Sequence, residues 1–369
     1  METLALTRRG FIPAALALAA SCSQPERDAP AAAPDAARTV RLASIGFFAD
    51  GRLQVGGNQS SVIHVKGWLE QRLASRGVKV EWTPIPSALG GPGFNEALAN
   101  KSIDFAAYGD FPAIIARAGG IPIKLVTPAG RGSNSYLVVP EGSAARDILD
   151  LKGQRIALQR GRPAELAFAQ LIRSKGLTHA DFRIVNIAAS AAAAAVAADR
   201  LDAAFIGADA FLLEDKGVGR ILWSTKGTSW KWRAELFARE PFIAENPGIT
   251  QDVVTAYVAA AHWLSLDANR DEAQRLISRS GTPLSVVQRD AKNDLPWKER
   301  WSPLFDDYMR RHYTEAVAFT AAQKLIPAPF ALEDFFEPRF VDVALRDLGL
   351  ASYWSGRGAA GGVRADVLR

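Results

Sequence analysis

Arg160 and Arg162 flank a single glycine in Gln159-Arg160-Gly161-Arg162-Pro163, between a strand-like run and a helical one. Two guanidinium forks at such a turn can grip an oxyanion through paired N–H donors, and Pro163 suits a first helical position. Other polar turns can add backbone donors. Asn58-Gln59-Ser60-Ser61 opens a helical run directly after Gly56-Gly57, and Gly90-Gly91 permits close backbone approach before a helix expected to start near Phe94. Tyr108-Gly109-Asp110 starts another helical run, and Arg131-Gly132-Ser133-Asn134-Ser135 precedes a strand-like one. Helix N-termini carry unbonded N–H groups and partial positive charge, so a concave set of them holds a small anion at little desolvation cost. The competing reading of the two arginines is long side chains that face water.

Other chemistries lack their residues. Cys22 is the only cysteine, so the folded part has no thiol for disulfide, zinc or nucleophilic work. His64, His179, His262 and His312 have no metal-ligand spacing, and no Gly-x-Ser-x-Gly elbow is present. No metal, no cofactor and no catalysis are expected. The net charge of +5 is mild, and Lys and Arg are scattered without a basic run, which argues against nucleic acid.

The elements that must position these turns alternate. Strand-like runs at 41–48, 78–85, 103–108, 123–128, 136–139, 155–159, 183–187, 203–207 and 219–223 are separated by amphipathic stretches such as 164–175. An α/β architecture with parallel sheets is predicted, followed after Glu240 by helices alone at 251–266, 270–280, 302–313 and 338–348. The segment from Asn100 through Gly109-Asp110 is repeated in kind from Ala198 through Gly207-Ala208-Asp209. Each copy runs helix end, strand, loop, helix, and such a loop lies at the carboxyl end of its strand, where open α/β sheets bind ligands. Capping alone would also explain Asp110 and Asp209. The duplication predicts two similar lobes facing one cleft.

Residues 1–21 read as an export signal of the twin-arginine type, with Arg8 and Arg9 before a short apolar stretch. Ala19-Ala20-Ser21-Cys22 resembles the lipobox of bacterial lipoproteins, which would leave a lipid on Cys22. Residues 22–38, rich in Ala, Pro and Asp, are expected to be a flexible tether, and 354–369 a flexible tail.

Ile45-Gly46-Phe47-Phe48, Val80-Glu81-Trp82, Gly90-Gly91-Pro92-Gly93-Phe94-Asn95, Gly109-Asp110-Phe111-Pro112, Leu151-Lys152-Gly153-Gln154-Arg155-Ile156-Ala157 and Phe242-Ile243-Ala244-Glu245-Asn246-Pro247 stand in an order that resembles one family. It is that of the periplasmic substrate-binding proteins of ABC importers for aliphatic sulfonates, taurine and nitrate. The resemblance implies a type II periplasmic-binding-protein fold: two α/β lobes, joined by two crossing strands, close on a ligand between them. Lobe 1 would comprise residues 39–132 plus 232–353 and lobe 2 residues 133–231, with 136–139 and 234–239 as candidate crossings. It further implies a periplasmic, lipid-anchored monomer that captures a small organic anion, above all an aliphatic sulfonate or related organosulfur compound, and delivers it to an inner-membrane ABC permease. Phe47, Phe48 and Asp209 join the ligand-binding candidates Asn58, Gln59, Ser60, Gly90, Gly91, Tyr108, Gly109, Asp110, Arg131, Ser133, Arg160, Gly161 and Arg162. The family usually has Asn-Lys-Gly-Ser at the Arg160 loop and an aromatic wall where this chain has Gly207-Ala208-Asp209. Same-fold enzymes of the thiamine-pyrimidine synthase or sulfinate desulfinase type are the rival class, and both depend on cysteine. The same resemblance is compatible with nitrate or a thiamine precursor as the ligand, and with a sensing role in place of import.

Overall fold

The computed structural model describes residues 36–49, 51–87 and 89–356. The expected signal, Cys22, all of the tether but its last three residues, and the tail from residue 357 lie outside the described residues.

The chain begins with β1 (Thr39–Ala49), β2 (Arg52–Val55), α1 (Asn58–Lys66), α2 (Trp68–Ala74), β3 (Lys79–Pro86), α3 (Gly90–Ala99), β4 (Phe105–Gly109), α4 (Asp110–Ala118) and β5 (Ile123–Pro128). It continues with β6 (Tyr136–Pro140), β7 (Arg155–Ala157), α5 (Ala164–Ser174), β8 (Arg183–Val185), α6 (Ala189–Ala197), β9 (Ala203–Ile206), α7 (Ala210–Asp215), β10 (Gly219–Ser224) and β11 (Ala234–Arg239). Helices follow: α8 (Glu240–Glu245), α9 (Pro247–Ser265), α10 (Arg270–Ser278), α11 (Leu284–Ala291), α12 (Trp297–Arg300), α13 (Asp307–Ala322) and α14 (Arg339–Asp347).

Among the described residues the strands form two sheets, one in the order β2-β1-β4-β11-β5 with β3 also paired to β1, the other β10-β6-β9-β7-β8. Both sheets are mixed, where parallel ones were expected: β1 is parallel to β3 and β4, but β11 is antiparallel to β4 and β5, and β6 to β9 and β10. The reversed strands β6 and β11 each follow a crossing, and β2, antiparallel to β1, is the return arm of a short hairpin. A chain that goes to a second body and returns must run against the strands it rejoins.

The crossings themselves lie in 129–135 and 225–233, tied by a lone antiparallel bridge between Ser133 and Trp232. The strands β6 and β11, expected to cross, each pair within one sheet. Asn134 anchors the passage by donating to the Asp290 and Asp294 carboxylates, each at 3.1 Å, while Lys231 bonds Asp294 at 2.8 Å.

Each sheet is buried on both faces. In the first, Val40 and Leu42 face the cluster beneath α9 and α14, and Ala43 and Ala106 face the cluster of α3, α4 and α13. In β6, Leu137 and Val139 take one side and Tyr136 and Val138 the other, the period-2 alternation of a strand covered twice. Residues 232–353 were expected to stay with the first sheet, but α11 packs on the second. Val286 is buried with Tyr136 and Phe211, and Arg289 pairs with Glu214 at 2.7 Å and with Asp215.

Candidate functional site

A cavity of about 730 Å³ opens between the two sheets, at the carboxyl ends of β1, β4 and β9. Eleven of the sequence-predicted site residues line it: Phe47, Asn58, Gln59, Ser60, Gly90, Gly91, Tyr108, Gly109, Ser133, Arg162 and Asp209. The duplicated loops after β4 and β9 therefore do reach one cleft.

The other five candidates do not line it, each for a physical reason. Phe48 is 76% exposed, because neighbours on a strand point to opposite faces and Phe47 takes the inward one. Arg131 is fully buried, forked on Asp306 at 2.7 and 2.8 Å with Ser302 at 2.9 Å. Asp110 is buried too, accepting the Phe111 N–H at 2.7 Å and pairing with His312 at 2.5 Å. Arg160 is exposed and spends its guanidinium on Glu165 at 3.3 Å and Gln323 at 3.1 Å, and the Gly161 N–H donates to the same Glu165.

Two helix N-termini face the cleft. Gly57, at φ 86°, lets the chain turn sharply into α1, which has neither a side-chain cap nor an acidic residue in its first turn. Its side chains are held from outside: the Gln59 amide donates to the Ala129 carbonyl at 2.8 Å, and Ser60 shares a 2.7 Å hydrogen bond with Tyr257. α3 starts at Gly90, four residues before the expected start, so the glycine pair is its first turn; it too has no side-chain cap and no acidic residue there.

The loop after β7 closes the cleft from the second sheet. A Cβ on Gly90, at φ 52°, would stand 2.4 Å from an Arg162 Nη, and one on Gly109 3.0 Å from the Pro163 ring. Glycine at both positions lets the two sheets' loops touch. Arg162 is half-buried there and, among the described residues, makes no hydrogen bond or ion pair through its guanidinium.

The remaining charges at the cleft are largely spent. Arg300 pairs with Asp290 at 2.6 Å and Asp294 at 3.2 Å. Burial works against the Asp290 charge, but Arg300 and the Tyr136 hydroxyl hold its pKa below the usual value. Glu235 is buried, takes a 2.6 Å bond from Arg233 and the Ala129 N–H, and burial lifts its pKa to about 7 while Arg233 limits the rise. Asp209 stays at the exposed rim, where solvent screens it. Among the described residues the inner surface is thus a wall of paired charges with one unspent cation, Arg162, beside two sets of amide donors.

The opposite end of the cavity escaped the sequence reading. Leu276, Ile277, Val287, Trp297 and Trp301 line it, from α10 to α12. The helices α11 and α12 are short and begin after Pro283 and Pro296, so no long 3.6-residue period announces them.

A family model described as NMT1/THI5 like matches residues 74–268, more than half of the chain. The chain belongs to the NMT1/THI5-like family. Among solved structures it is similar to one described as the periplasmic sulfonate-binding protein SsuA of a sulfonate ABC transporter from Methylobacillus flagellatus KT. The two are 42% identical with a TM-score of 0.82, over 88% of this chain and 99% of that one. Two curated relatives are described as aliphatic sulfonates-binding proteins. The one from Bacillus subtilis (strain 168) is 26% identical over 76% of this chain and 83% of its own length. The one from Escherichia coli (strain K12) is 27% identical over 64% and 73%. This NMT1/THI5-like protein has the type II periplasmic-binding-protein fold of the solved SsuA proteins. At 15% identity the desulfurization enzyme DszB shares the fold, with a TM-score of 0.57 over 84% of this chain and 99% of its own. No described helix is long and apolar enough to cross a membrane.

Proposed function

We propose that this protein is the substrate-binding component of an ABC importer for aliphatic sulfonates or related organosulfur anions. The single observation that carries the reading is the Arg162 guanidinium, which has no hydrogen-bond or ion-pair partner among the described residues and sits beside Gly90 at the start of α3, in a cleft that the N-terminus of α1 also lines. A sulfonate offers three oxygens with one delocalised charge, which matches a guanidinium fork plus backbone N–H groups and asks for no metal and no proton transfer. The solved and curated relatives described as sulfonate-binding support the same ligand class.

Binding works by closure of two lobes, 39–132 with most of 232–353 against 133–231 with α11. The crossings at 129–135 and 225–233 are the hinge, and closing excludes water and strengthens each N–H contact. Residues 1–21 direct export, Cys22 carries the lipid that anchors the protein on the periplasmic side, and the closed form is handed to a permease. Catalysis of the sulfinate desulfinase type is disfavoured because it depends on a cysteine, and the one cysteine, Cys22, is the residue assigned to the lipid anchor.

A thermal-shift screen tests the ligand class. Short alkanesulfonates and taurine should raise the melting temperature with concentration, since a ligand that binds only the folded state stabilises it by mass action. A shift with nitrate or a thiamine precursor and none with any sulfonate refutes the reading.

A further inference from the structure

Glu235 is a buried carboxylate in the wall of a cleft that takes an anion. It is 1% exposed yet lines the cavity, and its two oxygens accept from the Arg233 Nε at 2.6 Å and from the Ala129 N–H. The Ala129 carbonyl in turn accepts from the Gln59 side chain at 2.8 Å. Two hydrogen bonds through one residue thus join the carboxylate to the first turn of α1, and a sulfonate held at that turn meets a second negative charge across a wall without water.

The groups packed around Glu235 do not cancel that repulsion. On its own strand Arg233 neutralises Glu235 itself, and at the crossing Arg131 is held by Asp306. β4 sets Tyr108 directly opposite Glu235 on the same face of the sheet, α4 supplies Asp110, and α13 supplies Tyr308, His312 and Tyr313. Burial holds the His312 pKa below 6.5, which leaves the charge of its partner Asp110 uncancelled at neutral pH.

The cluster is equipped to carry Glu235 in either protonation state. The Tyr108 and Tyr313 hydroxyls and one Arg233 Nη are buried without a hydrogen-bond partner among the described residues. A hydroxyl donates to a carboxylate and accepts from an acid O–H, so these orphan groups suit both forms. Burial lifts the Glu235 pKa to about 7, Arg233 limits the rise, and Asp110 adds a smaller upward push.

We propose that Glu235 is a proton-linked residue of the site: anion capture is accompanied by uptake of a proton from solvent onto its carboxylate, and the ligand is held more tightly at pH 7 than at pH 9. The acid O–H is the one bond formed. Its formation removes the charge that opposes the anion and leaves the Arg233 charge unmatched to attract it. The inference rests on the anion-binding reading of the cleft.

Ethanesulfonate is the probe, because a sulfonate stays ionised across this range and every proton that moves belongs to protein or buffer. At an effective dielectric constant of about 20, a unit charge roughly 12 Å away changes a neighbour's proton affinity about tenfold. Calorimetric titration of the full-length mature protein at about pH 7.5, in buffers of different ionisation enthalpy, should then show uptake of about half a proton per ligand. The dissociation constant should rise about fivefold from pH 7 to pH 9. Glu235→Gln should abolish the uptake and flatten the pH dependence, whereas His312→Gln should preserve both. Infrared difference spectra of the unaltered protein should gain the carbonyl band of a protonated carboxyl group on adding ethanesulfonate, a readout that needs neither variant to fold. No proton uptake and a dissociation constant level from pH 7 to pH 9 overturn the proposal and leave the anion site in place. Uptake that persists in Glu235→Gln, or is lost in His312→Gln, also overturns it. Binding of no alkanesulfonate at any pH overturns the anion reading and this inference with it.

Discussion

Arg162→Ala removes the one cation of the inner cleft that has no ion-pair partner among the described residues. The guanidinium has no partner to strand, so the ligand-free protein should keep its melting temperature within about 1 °C, the behaviour of a substitution away from packed or bonded groups. A hydrogen bond to a charged group is worth about 1.5–3 kcal/mol, and a forked contact lies toward the upper part of that range. The dissociation constant for a short alkanesulfonate should therefore rise roughly 10- to 100-fold, with a weakened salt dependence. Isothermal titration at two ionic strengths measures both. Arg160→Ala is the control from the same loop: its side chain is half exposed and committed to Glu165 and Gln323, so its effect on affinity should stay under about twofold. Unchanged affinity in Arg162→Ala, or equal losses in the two variants, would refute the assignment of Arg162 as the anion's partner.

Glu235 gives the fold a pH dependence of definite sign. Its folded pKa of about 7 lies above the ordinary 4.5, so its contribution to stability is complete below about pH 4.5 and is lost as pH rises through 7. His312, His179 and His262 are pushed below 6.5 by burial, so their opposite slope ends near pH 6.5. Between pH 6.5 and 8 the melting temperature should fall, and Glu235→Gln should flatten that decline. Gly130→Ala should cost about 3 kcal/mol or more in a denaturant titration: φ is 130°, and the new Cβ would stand 2.4 Å from the Arg300 carbonyl oxygen at the crossing. A loss below 1 kcal/mol would mean the crossing relaxes easily. Cys22→Ser should release the protein from the membrane fraction, and continued membrane association would discard the lipid anchor.

Local signals made most of the fold legible. The run at 123–128 coincides with β5, and the expected strands at 41–48, 78–85 and 219–223 each fall within about two residues of an observed one. Apolar period and bounding glycines carry that information without any tertiary contact. The antiparallel strands that follow the crossings were not legible, since direction depends on where the chain has come from. Within the site, the turns were found and their side chains only in part. Arg131 and Arg162 look alike as arginines beside glycines, and only the folded structure shows that Asp306, at the start of α13, claims the first and that no described residue pairs with the second. Phe47 and Phe48 could have been separated by strand alternation alone. The tryptophan end depends on α10 and α12 folding back against α1 and α9, a long-range event that no local pattern records.

The central claim is that the cleft holds a sulfonate between Arg162 and the free amides that open α1. A crystal structure of the mature protein with a bound alkanesulfonate tests it most directly. Sulfonate oxygens are expected within hydrogen-bond distance of the Arg162 guanidinium and the Gln59 and Ser60 backbone nitrogens. A sulfonate seated away from Arg162, or a cleft still empty at saturating ligand, would contradict it.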